Sequence, residues 1–355
     1  MKVLAVIADG TWGGAQRHVR DLLAYAKDVQ FVLATGSHGR LTDEARSRGV
    51  RVHLIPGLAR GAYPALLPRA RRALGSVRTR ESPDVVHAHG VKAATVCAGA
   101  QNPFIYTSHG SAVADPTRPF IQRAILTYLE RRQAPQVRTF IGVSRAECAG
   151  AAATGIPLGR IAHIPNGVPV GPTPGKRSGP IRNVAFVGRL VPEKGALALP
   201  LLARRLGPEL SLHVAGDGPL AASLSGLSNV RLHGWIDDVP EFLDEMDVLV
   251  MPSQKEGLPY ALLEAMERAK PVVSTAVGGV VDVLEQGRNG LLTEPGNLDA
   301  LVSSVNRLVA DPEEADRLAS AARQTVMEAY RVEDMVSRTQ GVYATASGEV
   351  AAWRA

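Results

Sequence analysis

The chain has 355 residues, 45% hydrophobic, 21% charged and 5% aromatic, a balance that excludes disordered and low-complexity classes and, at roughly 150 residues per domain, argues for two domains. The formal net charge of +6 comes from 40 Lys+Arg against 34 Asp+Glu, and alone it fits nucleic acid, an anionic surface or a phosphorylated small molecule equally. The two cysteines, Cys97 and Cys148, lack metal-ligand spacing and are too few for a disulfide framework, so two small buried hydrophobes and a reducing compartment are expected.

The first apolar run, residues 3–8, is too short for a signal peptide, and no stretch of about 18 apolar residues follows. The expected location is the cytoplasm, with any membrane contact peripheral at the inner face. Apolar β-branched runs at 3–8, 30–34, 51–55, 84–88, 104–107 and 139–143 predict strands, and helical patterns at 15–27, 64–80, 91–100 and 118–133 alternate with them. Such continuous apolar strands are buried on both faces, which implies a parallel sheet covered by helices. Residues 166–181 are rich in Pro and Gly and read as a linker. Strand patterns then restart at 183–187, 210–215, 230–233, 248–251, 271–274 and 290–293. The expected architecture is α/β with two Rossmann-like doubly wound domains, 1–165 and 182–331, and a last helical stretch within 332–355. Ligands of such folds bind at loops that follow strands, here in a cleft between the two halves.

The first such loop, Asp9-Gly10-Thr11-Trp12-Gly13-Gly14, opens a helix. Gly13 and Gly14 allow close backbone approach and a helix start suits an anion, although a tight strand-to-helix turn explains the same residues. The spacing is not that of a dinucleotide fingerprint. In the second half, Gly188, Arg189, Lys194 and Gly195 share one loop, where the two cations can turn toward one phosphate. After the strand at 248–251 come Glu256, Gly257, Leu258, Pro259 and Glu264, with a helix expected from about Leu258. Eight residues at helical rise span roughly 12 Å, enough to set one carboxylate near each of two sugar rings, with the helix N-terminus toward bridging phosphates.

His87 and His89 flank Ala88. We expect alternate residues here to diverge, one packed and one bordering the cleft, so that no metal is shared. Arginine-rich patterns at 64–80 and 118–132, the latter with an apolar face, raise an anionic-lipid reading beside that of a solvated basic face.

Taken in order, Gly13-Gly14-Ala15, the segment Asp84 to His89, Ser108-His109-Gly110, Ile164-Pro165-Asn166-Gly167-Val168, Gly188-Arg189-Leu190 with Glu193-Lys194-Gly195, Ala215-Gly216-Asp217-Gly218-Pro219, and Glu256-Gly257-Leu258-Pro259 with Leu263-Glu264-Ala265-Met266 resemble the retaining glycosyltransferases of family 4, which have the GT-B fold. The resemblance covers nearly the whole chain. It implies a hexosyl transfer from a nucleotide sugar, commonly UDP-linked, to a glycan, lipid-linked or small-molecule hydroxyl. Arg189 and Lys194 would bind the diphosphate, Glu264 the ribose, Glu256 the sugar hydroxyls, and Gly14 would approach from the other domain. His109 would lie near the transferred sugar, and Trp235 with Ile236 near the nucleobase; Gly188, Asp217 and Gly218 belong to the same donor loops. The last helical stretch would cross back to the first domain. Leu258-Pro259 stands where many members have Phe-Gly, and Val281-Asp282 where many have Pro-Glu, which blurs donor-sugar specificity.

No Asp-x-Asp follows an apolar strand, so neither a metal nor a resident cofactor is expected. A nucleotide-sugar 2-epimerase, a phosphorylase and a nucleic-acid or anionic-surface binder are the competing readings. The glutamate pair and the Arg/Lys loop argue against a nucleic-acid partner. Residues 1–180 hold 24 Lys+Arg and 10 Asp+Glu, and 181–355 hold 16 and 24. The basic excess thus sits away from the donor loops, which points to an anionic acceptor or membrane surface.

Overall fold

The computed structural model describes residues 1–59, 65–99, 103–110, 119–175 and 179–348. The expected helix starts at Pro64 and Arg118, the helix end at Ala100, the middle of the expected linker and the end of the tail fall outside them. The chain divides into two compact units, one of Met1–Asn166 with the chain from Val332, the other of Gly167–Arg331.

In the first unit, strands β1 (Lys2–Ile7), β2 (Gln30–Thr35), β3 (Arg51–Leu54), β4 (Val85–His89), β5 (Phe104–Thr107), β6 (Val137–Gly142) and β7 (Ile161–His163) alternate with helices α1 (Gly14–Tyr25), α2 (Arg40–Ser47), α3 (Leu67–Glu81), α4 (Val91–Cys97), α5 (Phe120–Gln133) and α6 (Arg145–Ala153). The sheet order is β3-β2-β1-β4-β5-β6-β7, with every pairing parallel. Side chains of β1 show why. Leu4 and Val6 pack into a cluster with α3 and α4, whereas Val3, Ala5 and Ile7 enter clusters on the opposite face, so both faces are covered and every residue after Lys2 is apolar and buried.

The second unit holds β8 (Asn183–Val187), α7 (Leu199–Arg205), β9 (Ser211–Ala215), β10 (Val230–Gly234), α8 (Val239–Asp244), β11 (Val248–Met251), α9 (Tyr260–Glu267), β12 (Val272–Thr275), α10 (Val280–Val283), β13 (Leu291–Thr293), α11 (Leu298–Ala310) and α12 (Pro312–Ala329). Its sheet order, β10-β9-β8-β11-β12-β13, is again wholly parallel. Helix α13 (Val332–Ser347) belongs to the first unit, where Val332, Met335, Val336 and Tyr343 join Val3, Leu22 and Phe31 in one cluster. The Pro/Gly-rich segment is pinned to the second unit at two points: Val168 N donates to Tyr330 O at 2.9 Å, and Gly171 N to Glu267 Oε1 at 3.0 Å. Among the described residues, no helix is long and apolar enough to cross a membrane.

In each sheet the chain builds outward in one direction and then returns to the centre, so the order reverses between β1 and β4 and again between β8 and β11. Loops leaving the carboxyl ends of adjacent strands diverge at such a point and leave a crevice for a ligand.

Candidate functional site

In the second unit the reversal lies between the loop after β8, residues 188–195, and the loop after β11, residues 252–259. Three contacts join them. Gln254 N donates to Glu193 O at 2.9 Å. Gly195, at φ +73°, packs so closely that a Cβ would stand 2.0 Å from Pro252 O, which only glycine permits. Lys194 Nζ donates to Glu256 Oε2 at 2.6 Å, and Ser253 Oγ satisfies Oε1 at 2.8 Å. The Glu256 side chain is 4% exposed and the Lys194 side chain 25%, so the pair is partly shielded from water, where an ion pair counts for more than at an open surface.

The loop after β12 packs against the backbone that carries Glu256. Gly278 takes φ +49°, a Cβ there would fall 1.8 Å from Glu256 O, and Gly279 N donates to Gly257 O at 2.6 Å. Arg189 is held differently, by Glu193 at the exposed rim. The two cations therefore have separate carboxylate partners.

Helix α9 starts at Tyr260 with Pro259 as its N-cap, two residues after the expected start near Leu258. Pro259 has no amide hydrogen and sits in extended conformation, which delays the first turn. The amides free at the helix start thus follow Gly257 by several residues. Glu264 is buried, at 3% exposure, so it is not a solvent-facing helix charge. Behind it, Arg323 on α12 grips α9 through Glu267 Oε1 at 2.8 Å and donates to Gly171 O at 2.8 Å. Asp217 is exposed and accepts from Gly218 N at 2.7 Å, and Gly188 lies beside it, its amide bonded to Ala215 O at 2.9 Å. Trp235 is half exposed after β10, its Nε1 donating to Asp237 at 3.1 Å, with Ile236 partly buried next to it. Leu258 is buried and Val281 exposed.

In the first unit the loops after β1, β4 and β5 converge on a group of histidines. Gly13 caps α1, the helix starts at Gly14, and Gln16 ties the loop back by donating to Asp9 O and Oδ1, both at 3.1 Å. His109 has φ +56°, a left-handed conformation unusual outside glycine. It is held by the buried Glu147 carboxylate, which accepts from Gly110 N and, at 3.0 Å, from Val143 N. The His109 ring meets His18 edge-on at 4.7 Å and stacks on His89 at 5.3 Å.

His87 and His89 do not diverge. Their rings are 4.0 Å apart and both residues are buried, because positions i and i+2 of a strand share a face. His87 spends both nitrogens at 2.8 Å, Nδ1 on the Tyr343 hydroxyl and Nε2 on Thr107 Oγ1. Burial pushes His18 down to about 4 and holds His87, His89 and His109 well below the ordinary imidazole range, neighbouring imidazoles adding to the effect on the last three. Neither His18 nor His89 stands out by composition. His18, one turn into the helix after a Gly-rich loop, and the shared parity of His87 and His89 were the available signals. Of the two thiols only Cys97 is fully buried, and burial pushes it up to about 12; Cys148 is partly exposed.

The chain is similar to known proteins over most of its length. Residues 178–325 match the family described as glycosyl transferases group 1, and residues 12–171 match glycosyltransferase family 4. An uncharacterized glycosyltransferase of Methanocaldococcus jannaschii is 27% identical over 80% of this chain and 81% of its own. An Escherichia coli UDP-Gal:alpha-D-GlcNAc-diphosphoundecaprenol alpha-1,3-galactosyltransferase is 27% identical over 74% of this chain and 75% of its own. Among solved structures, HepE of Anabaena in complex with UDP and glucose superposes with a TM-score of 0.84 at 20% identity, covering 97% of this chain and all of that one. Two parallel Rossmann-like sheets and these matches agree: the chain belongs to the family 4 glycosyltransferases and has the GT-B fold.

Proposed function

We propose that the chain transfers a hexosyl group from a UDP-sugar to a hydroxyl of a glycan or lipid-linked acceptor, with retention at the anomeric carbon and without a metal ion. The observation that carries this reading is the Lys194–Glu256 contact, which sets a cation and a sugar-binding carboxylate side by side at the strand-order reversal of the second unit. The UDP named in the HepE complex and in the E. coli relative supports the donor.

In this reading the diphosphate lies against Arg189 and Lys194, displacing Glu193 from Arg189, while the start of α9 faces the same charge. As the bond between C1 and the diphosphate oxygen breaks, negative charge grows on the leaving group, and fixed cations stabilise that charge more than the ground state. The acceptor oxygen bonds to C1 from the face the diphosphate leaves, and its proton passes to a donor phosphate oxygen. Glu256 holds sugar hydroxyls, Glu264 the ribose, and Trp235 and Ile236 the base.

The acceptor side rests on α5, which presents Ile121, Ile125 and Tyr128 outward at helical spacing, beside exposed Arg131 and Arg132. A groove of about 350 Å³ runs along Phe120, Arg123, Thr127, Tyr128 and Arg131. An apolar stripe flanked by cations suits a peripheral helix on an anionic lipid surface. The basic excess is only partly free for such contact, since Arg71 donates to Thr95 O at 3.1 Å and so holds α3 on α4. The donor assignment is tested by thermal shift against UDP-, GDP-, ADP- and dTDP-sugars. A ligand at 100 times its Kd stabilises by about 2.7 kcal/mol. Selective stabilisation by one or more UDP-sugars, unchanged by EDTA, is expected; no shift with any nucleotide sugar overturns it.

A further inference from the structure

His18, His89 and His109 each offer a ring nitrogen, and these atoms all lie within 4.8 Å of one another. The three come from different elements: α1, the end of β4 and the turn after β5. His18 Nδ1 is 3.1 Å from Asn166 Oδ1. With the amide oxygen as acceptor, the proton sits on Nδ1 and the Nε2 lone pair is exposed to the cluster. That Nε2 is buried and has no hydrogen-bond partner, and the same is true of His89 Nε2. Two orphaned imidazole nitrogens in one cluster are unusual, because buried polar atoms are nearly always paired.

We propose that His18, His89 and His109 form a three-imidazole binding site for a borderline-soft divalent cation of the Zn2+ type, entered from the partly exposed His109 side. At Zn–N distances of about 2.0–2.1 Å, two tetrahedral ligands stand about 3.4 Å apart; His89 Nδ1 and His109 Nε2 are 3.0 Å apart in a hydrogen bond that the cation would replace, one ring shifting its proton to its other nitrogen, and the His18 nitrogen lies within 4.8 Å of both. The donor set is all nitrogen, which selects Zn2+ and its neighbours over Mg2+ and Ca2+. Asn166 is the outer-shell partner that fixes the His18 tautomer. His87 is excluded as a ligand, both of its nitrogens being engaged. Three protein ligands leave a fourth position for water.

The test uses the full-length, untagged chain, stripped with chelator and carrying His213→Gln, which removes the other close imidazole pair, His213 and His233 at 3.1 Å. Titration with Zn2+ and with Co2+ is expected to give one cation per chain, with the visible bands of tetrahedral Co2+. Affinity should fall at least about 100-fold in His18→Gln or His89→Gln, and about 10- to 100-fold in Asn166→Ala. No binding, or binding unchanged by these substitutions, overturns the site. Because a histidine variant can fail to fold, crystals of the unmodified chain soaked in Zn2+ and read by anomalous scattering give a second answer. A peak among the three rings supports the site, and a peak only elsewhere overturns it. Neither measurement contains a nucleotide sugar, so its outcome is independent of the transfer reaction.

Discussion

Lys194 and Glu256 are 62 positions apart in sequence and 2.6 Å apart in space, joined across the two loops that flank the strand-order reversal of the second unit. The contact fixes the cation and the carboxylate before any donor arrives, and preorganised charge costs no reorganisation when the glycosidic bond breaks. Removing one donor of this kind typically costs about 10²–10³ in kcat. Lys194→Met and Arg189→Ala are each expected to lower kcat on that scale. Glu256→Gln keeps the Ser253 contact yet weakens the grip on Lys194, so it should slow turnover and also raise KM for the donor. Steady-state kinetics on the three variants checks this, and near-normal kcat in both cation variants would remove the role.

Glu147 orders the His109 turn through two backbone amides, Gly110 N and Val143 N. Glu147→Ala strands the buried Val143 amide, worth about 1–3 kcal/mol, and the part-buried Gly110 amide, and releases the left-handed His109 backbone. Thermal denaturation should register the loss. Turnover should fall beyond what stability explains, measured well below the melting temperature, and Glu147→Gln should recover part of both.

Three buried imidazoles, His18, His87 and His89, and the partly exposed His109 make the metal-free first unit sensitive to acid. His18 titrates at about 4 when folded against the ordinary 6.5, so between these values the unfolded chain binds a proton that the folded chain refuses. Its stabilising contribution is complete above about pH 6.5 and is lost as pH falls toward 4, about 3 kcal/mol over that window. His87, His89 and His109 act in the same direction. Melting curves of EDTA-treated protein should therefore drop between about pH 6.5 and 4. His18→Gln, if folded, should flatten the dependence.

The outward stripe of α5 predicts lipid binding. Ile121→Ser with Ile125→Ser should abolish flotation with anionic vesicles, and Arg131→Gln with Arg132→Gln should weaken it in a salt-sensitive way. UDP-sugar binding by the second unit should be unchanged in both pairs. Flotation that is indifferent to all four residues returns α5 to an ordinary solvent face.

Much of this was legible before the structure. Continuous Val, Ile and Leu runs placed most strands to within a residue or two, since a doubly covered parallel strand has few other ways to be written. Helices α2 and α6 escaped because Arg40–Ser47 is short and Arg145–Ala153 is Ala-rich, with little apolar periodicity; Ser144 followed by Glu147 was the signal that a helix starts there. Strand β7, three residues long at the sheet edge, has too little sequence to register. In the site, the residues were readable from loop position but their pairings were not. Nothing in the spacing says that Lys194 meets Glu256 while Arg189 meets Glu193, because that depends on how tightly Gly195 and Gly278 let three loops approach. The histidine cluster was hidden by a parity error on one strand.

The most direct test of the account follows the anomeric centre itself. The chain is incubated with the UDP-sugar that stabilises it, a hydroxyl acceptor and EDTA, and the product is read by proton NMR. Transfer that keeps the donor's anomeric configuration is the predicted result. An inverted product, dependence on added metal, or release of epimer or free sugar with no acceptor consumed would contradict the assignment.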